Sequence, residues 1–172
     1  MWTVAGIYTG LRYEYVLVEE GGCAVSFKVC SSAFRDGGYL PGWYSSSGLN
    51  ASPPFGWAEE PEGTESLSMI CSSSLGKVLW VLWNVPNTRK TVYGRLPAES
   101  ELSSGMCQGI NDLLGTGWTG PVEKLPGLSL TFTLYALDKV LHIEEANVTA
   151  ELLKAAMEGH ILGTSAISCV YS

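Results

Sequence analysis

The sequence predicts a mainly β fold, an antiparallel sandwich with one or two short helices. Three observations lead there. Leu128, Leu130, Phe132 and Leu134 alternate with Ser129, Thr131, Thr133 and Tyr135, a period of two that only a strand satisfies. Lys77 to Val85 is apolar at nearly every position, as a central strand covered on both faces would be. Helical spacing shows clearly in one place alone, after Asn147, so strands must supply most of the core.

Taken in order, Leu11, Tyr13, Tyr15 and Leu17 alternate with polar neighbours, Glu19-Glu20-Gly21-Gly22 supplies turn chemistry, and Val25, Phe27 and Val29 alternate again. A hairpin between these two runs is the simplest expectation. Residues 31 to 64 are dense in Gly, Pro and Ser and predict a long ordered loop with short extended pieces. Leu67, Met69 and Cys71 open a further strand, and Val78 to Trp83 forms the longest apolar run. Between 86 and 127, turns are expected at Asn87-Thr88, Ser103-Ser104-Gly105 and Gly115-Thr116-Gly117. The helix should start at a cap on Asn147 or Thr149, use Val148, Leu152, Ala155, Ala156 and Ile161 as its apolar positions, and end at Gly159. Ile167, Cys169 and Tyr171 share one face of a last strand.

Composition narrows the function. A chain of 172 residues is one domain in size and needs no staple. Its net charge is −7 and Arg89-Lys90 is the one basic pair, which argues against nucleic acid and anionic membrane surfaces. No run approaches the roughly 20 apolar residues of a membrane span, and Met1-Trp2-Thr3 opens no secretory signal, so a cytoplasmic location without integral membrane association is expected. Cys23, Cys30, Cys71, Cys107 and Cys169 contain no C-x-x-C pair and are expected as buried free thiols. With His142 and His160 the only histidines, no metal site is expected, and no cofactor.

The order of several short motifs carries a resemblance. Ala33-Phe34-Arg35-Asp36-Gly37-Gly38, Ser52-Pro53-Pro54 with Trp57, Leu82-Trp83-Asn84-Val85-Pro86, Gln108-Gly109-Ile110-Asn111-Asp112, Gly117-Trp118-Thr119-Gly120-Pro121, Leu130 to Asp138 and Glu151 to Leu162 follow one another as in the phosphatidylethanolamine-binding proteins. The wording resembles their bacterial and archaeal branch, the Raf-kinase-inhibitor-like proteins, over residues 24 to 172. Residues 1 to 23 then form an N-terminal extension, expected as an extra strand.

The resemblance implies a small cavity at one end of the sheet that takes a phosphate-like anion. Its parts would be an Asp-Pro-Asp-Ala-Pro loop, a His before Trp80, a Gly-Pro wall and a His-Arg-Tyr strand start. Gly117, Gly120 and Pro121 match the wall, with Trp118 where relatives carry Tyr. The rest departs: the acidic loop is Ser72-Ser73-Ser74-Leu75-Gly76, the His is Leu79, and the His-Arg-Tyr is Leu128-Ser129-Leu130. Leucines offer no charge-assisted donor, whereas serine hydroxyls and glycine-rich backbone offer weak ones. Three readings stay open for the site made of Ser72, Ser73, Ser74, Leu79, Trp80, Gly117, Trp118, Gly120, Pro121, Leu128 and Leu130. It is filled as core, it has turned toward apolar ligands, or it keeps weak phosphate-headgroup binding.

No catalytic constellation is legible. There is no Gly-x-Ser-x-Gly elbow, and the adjacent Glu59-Glu60 point to opposite faces of an extended chain. His160 is expected to make a structural hydrogen bond, His142 to be solvated, and Asp36, Asn111 and Asp112 to serve turns. The expectation is therefore a non-enzymatic binding or regulatory protein acting through contacts around Trp43, Tyr44, Ser72 to Ser74 and Trp118, with a protein partner and a homodimer as candidate assemblies.

Overall fold

The computed structural model describes residues 26–122, 125–144 and 147–172 in full, and residues 2–9 and 12–19 as backbone strands. In chain order the elements are β1 (Trp2–Thr9), β2 (Arg12–Glu19), β3 (Lys28–Cys30), β4 (Gly38–Tyr39), a 3-10 turn at Gly42–Tyr44, β5 (Phe55–Ala58), β6 (Ser66–Ser73), β7 (Val78–Pro86), β8 (Thr91–Val92), β9 (Cys107–Gln108), β10 (Ser129–Leu137), α1 (Ala150–Met157) and β11 (Ile161–Val170). A six-stranded sheet has the order β4-β11-β10-β6-β7-β9, and a three-stranded sheet the order β3-β5-β8. All pairs are antiparallel except β4 with β11.

Two apolar clusters hold these layers. The inner one lies between the sheets and joins Val29, Phe55, Trp57 and Val92 of the smaller sheet to Met69, Trp80, Leu82, Leu130 and Phe132 of the larger. The outer one sits beneath α1, where Ala150, Leu153 and Met157 cover Ile70, Val81 and Trp83. Strand β7 feeds both, which is why its sequence shows no alternation. A bulge opposite Cys71 and Ser72 lets Leu79 and Trp80, adjacent in sequence, both enter the inner cluster.

Several expectations need correction. Strand β2 pairs with β1 rather than with the run ending at Cys30, because β3 is taken by β5. The turn proposed at Glu20-Gly21-Gly22 and the thiol of Cys23 lie outside the described residues. Strand β7 is buried on both faces but lies next to the edge strand β9; β10 and β6 are the central pair. The buried helix face is Ala150, Leu153 and Met157, while Leu152 and Ile161 are exposed. The helix starts where a Thr149 cap places it, and the stripe differs because Ala150, Leu153 and Met157, not Leu152, are the residues that meet the sheet. Its cap is Thr149, whose hydroxyl accepts from the Leu152 amide, and Gly159 follows its end at φ +79°. Of the described cysteines, Cys71 and Cys169 are buried, Cys107 is half-buried and Cys30 is exposed, since β3 turns only Val29 inward.

Candidate functional site

The residues that match the family's pocket gather at one end of the inner cluster, on β6, β7, the 117–121 segment and the start of β10. Leu79, Trp80, Trp118, Leu128 and Leu130 are all buried, Trp80 and Leu130 completely. All five belong to the inner cluster, and the two indoles pack on neighbouring rings. Trp118 stacks on Phe132 at 5.8 Å between centroids and meets Trp80 edge-on at 5.9 Å, and Phe132 packs on Phe55 at 4.7 Å.

The polar groups of this region are spent internally. The Trp80 indole donates to Gln108 Oε1 at 2.9 Å, and the Trp118 indole to the Tyr44 carbonyl at 3.0 Å. Among the backbone donors, the Gly117 amide goes to Gly109 O, the Thr119 amide to Leu79 O and the Ser74 amide to Ser129 O. The Gly120 amide donates to Asn50 Oδ1 at 2.8 Å. Gly120 is glycine because its Cα lies against the Tyr44–Ser45 backbone, where a Cβ would collide with the Tyr44 carbonyl. Pro121 contributes its carbonyl, which accepts from both the amide and the hydroxyl of Ser46.

The three serines do not converge. Ser73 pairs across the sheet with Leu130, and Ser72 with Thr131, so the two hydroxyls stand on opposite faces. Ser73 Oγ accepts from the Lys77 amide and Ser74 Oγ from the Ser129 amide, bonds that brace the β6–β7 turn. The structure thus brings Leu79, Trp80, Trp118, Leu128 and Leu130 together and leaves Ser72 behind the sheet.

Gln108 is the residue whose role the sequence leaves unstated. It is buried, and beyond the Trp80 bond its amide donates to the carbonyls of Pro97 at 2.7 Å and Glu99 at 2.9 Å. One side chain therefore ties β7, β9 and the 97–99 segment together. A lone Gln before Gly109 inside a matched motif is the signal that marks it.

Asn111 serves its own turn, as expected, whereas Asp112 and Asp36, expected as turn residues, instead tie distant strands together. Asn111 Oδ1 accepts from the amides of Leu113 and Gly115, Asp112 Oδ2 from that of Val78, and Asp36 Oδ1 from that of Ser168. His160 Nδ1 meets Asp138 Oδ1 at 2.8 Å, and His142 is exposed. Among the described residues no three His, Cys, Asp or Glu side chains gather as a metal site. Of two concavities on the surface of the described residues, neither is lined by any of the eleven candidate residues. One lies at Trp57, Glu59 and Glu60, where Glu60 already pairs with Lys90, and the other lies on the outer side of the large sheet at Trp83.

With this geometry in view, comparison with known proteins is informative. The profile of the family described as phosphatidylethanolamine-binding protein matches residues 30–172. The chain is 36% identical over 143 residues to the UPF0098 protein of Methanothermobacter thermautotrophicus, covering 81% of this chain and 94% of that one. To the UPF0098 protein of Chlamydia muridarum it is 34% identical over 154 residues, covering 84% and 97%. The crystal structure of a phosphatidylethanolamine-binding protein homolog from Chlamydia trachomatis is similar at a TM-score of 0.74 and 28% identity, covering 86% of this chain and 97% of that one. Escherichia coli YbcL, described as a new member of the mammalian PEBP family, shares the fold at a TM-score of 0.75 and 24% identity, covering 86% and 99%.

Proposed function

This chain belongs to the phosphatidylethanolamine-binding protein family, and we propose that it is a non-enzymatic binding or regulatory member whose anion pocket has been given over to core packing. Its work is then done by protein contacts at the rim. The observation that carries this reading is the joint burial of Leu79, Leu128, Leu130 and Trp118 while the amides of Ser74, Gly117 and Gly120 are engaged within the chain. An incoming dianion would find leucine and serine at the positions where the family's His and Arg stand, and would have to displace formed hydrogen bonds.

The rim offers the opposite character. Trp43 is 59% exposed, Leu49 66% and Val122 59%. They are held near one another because the Leu49 amide donates to Trp43 O and the Ser46 amide to Pro121 O. Exposed aromatic and aliphatic groups on braced backbone are what a partner protein's hot spot requires. A cytoplasmic setting and a homodimer built with residues 1 to 23 as an extension belong to the same proposal. Removing residues 1 to 22 should lower the mass seen by light scattering, and an unchanged mass removes the extension from any interface.

A second reading, an apolar ligand in place of the anion, is favoured by the Trp80, Trp118 and Phe132 lining, although those rings already touch each other. One titration separates the readings. Labelled protein receives inorganic phosphate, phosphoethanolamine and a hydrophobic fragment mixture while amide and indole NMR shifts are followed. Silence at Ser73, Ser74 and Gly120 with both anions is expected; saturable shifts there would restore the anion site. Movement of the Trp80 and Trp118 indoles with fragments would favour the apolar pocket.

A further inference from the structure

Strand β11 is covered along its outer edge only in part. Near its end β4 pairs with it at Cys169 and Val170, the Gly37 amide donates to the Ser168 carbonyl, and Asp36 Oδ1 accepts the Ser168 amide. Ser168 therefore turns its backbone groups away from β10. Every second residue of a strand does the same, so Ala166 and Thr164 turn theirs outward as well. The register shift of the β10–β11 ladder lies before Gly163 and leaves this alternation intact. Among the described residues no hydrogen bond reaches the amide or the carbonyl of Thr164 or Ala166, and both residues are exposed. Such an edge is normally blunted by a lysine or a proline. From Ile161 to Ser168 the chain has neither, and no other charged residue, while Ile161 and Leu162 stand exposed beside it.

A strand pair at the other end of the sequence has the opposite need. β1 and β2 pair over eight residues each, from Trp2 opposite Glu19 to Thr9 opposite Arg12, and form a two-stranded sheet joined to neither of the others. Two strands alone are marginal in water and need a further strand or a packed face. Opposite residues of an antiparallel pair share a face, so this register places Trp2, Val4, Tyr8, Tyr13, Tyr15 and Leu17 on one face of the ribbon. Residues 20 to 27 lead from β2 to β3, and Phe27 lies beside Gly163, where a Cβ would stand 3.7 Å from its ring. The chain thus enters the body next to the open edge.

We propose that Thr164 and Ala166 form the receiving edge of an arm exchange, in which the β1–β2 hairpin of one copy adds to β11 of a second copy and receives that copy's hairpin in return. The inference rests on the homodimer proposed above and names the surface that takes up the extension. The occupant is a second copy because within the chain the hairpin stays a separate sheet, whereas a two-fold pair fills both edges at once and closes. Charge favours the same place. Two copies of net charge −7 meet there along a stretch that carries no charge of its own.

The test follows sedimentation and amide hydrogen exchange of the full chain through a dilution series. The Thr164 and Ala166 amides should be protected where the chain is dimeric, and their protection should fall at least about tenfold as dilution yields monomer. The Ser168 amide, held by Asp36, should change little. Ala166→Pro removes a donor that has no partner within the chain, a change an edge strand tolerates. It should raise the dimer's dissociation constant by about tenfold or more, with a thermal melt to check the fold. If that variant does not fold, the dilution series of the unaltered chain decides alone. Protection that ignores concentration would place the hairpin on its own chain and overturn the exchange. So would a dimer whose Thr164 and Ala166 amides exchange freely, which would leave the role of residues 1 to 22 in the dimer standing. A monomer at every concentration would remove the homodimer itself, and the exchange with it.

Discussion

The two faces of the six-stranded sheet start from similar apolar content and end differently. On the inner face Phe55, Trp80, Trp118 and Phe132 close on each other, and the polar atoms nearby are tied into the chain. On the outer face one short helix does the covering: Ala150, Leu153 and Met157 lie over Ile70, Val81 and Trp83, and Ile143 is left half-buried at the edge of that cluster. Substituting leucine for a pocket's polar groups fills it from within. The lesson is that one sheet can close its two faces by different means, interlocked aromatic rings on one side and a single short helix on the other.

The largest expected effect tests this contrast directly. Phe132→Ala on the inner face should cost about 3–5 kcal/mol, because the cavity is enclosed by rings that cannot collapse into it. Ile143→Ala, half-buried at the edge of the outer cluster, should cost about 1 kcal/mol or less. Urea unfolding of both variants decides, and similar losses would mean that the faces are packed alike.

Gln108→Leu comes next. It strips the Trp80 indole and the carbonyls of Pro97 and Glu99 of their partners, and should cost about 2–4 kcal/mol. The Trp80 indole resonance should lose its bonded shift, a readout that a purely volumetric change would not give.

The thiols sharpen the comparison through pH. Burial raises Cys71 well above the ordinary thiol value and pushes Cys169 up to about 12. Above pH 9 the unfolded chain releases these protons while the folded chain keeps them, so stability falls as pH rises. The loss should approach about 1.4 kcal/mol per pH unit for each thiol. Denaturation midpoints from pH 8 to 10, compared with a C71A/C169A variant, should show the slope relieved in the variant. A thiol reagent under native conditions should label Cys30 and Cys107 and spare Cys71 and Cys169.

The smallest effect belongs to the outer layer's helix. Thr149→Ala removes a cap bond that is long, 3.4 Å, and should lower the melting stability by about 0.5–1 kcal/mol. A loss above that would show that α1 holds the outer face more firmly than its short contact suggests.

Much of this arrangement was legible in the residues. The alternation from Leu128 to Tyr135 placed Leu130, Phe132 and Leu134 inward, as observed, and Thr149 and Gly159 bounded the helix. The helix face was misjudged because 8 residues are too few for apolar spacing to fix a stripe when alanines count equally. The pairing of β2 with β1 was hidden because Trp2 to Thr9 mixes apolar, hydroxyl and glycine positions without clear alternation. At the family's pocket, the chemical loss was readable from Leu79, Leu128 and Leu130, while the open edge at Thr164 and Ala166 had no local signal, since strand order depends on which distant segments meet.

The sequence by itself determined the strand-rich class, the family and the absence of His and Arg at the pocket positions, because period and residue type are local properties. Tertiary structure alone decided what those positions became. A bulge aimed Leu79 and Trp80 together into the core, cross-strand register sent Ser72 and Ser73 to opposite faces, and Asn50 reached the Gly120 amide across 70 residues. Each of these depends on which distant group arrives to fill a volume or accept a proton, and such partners are fixed only when the layers close.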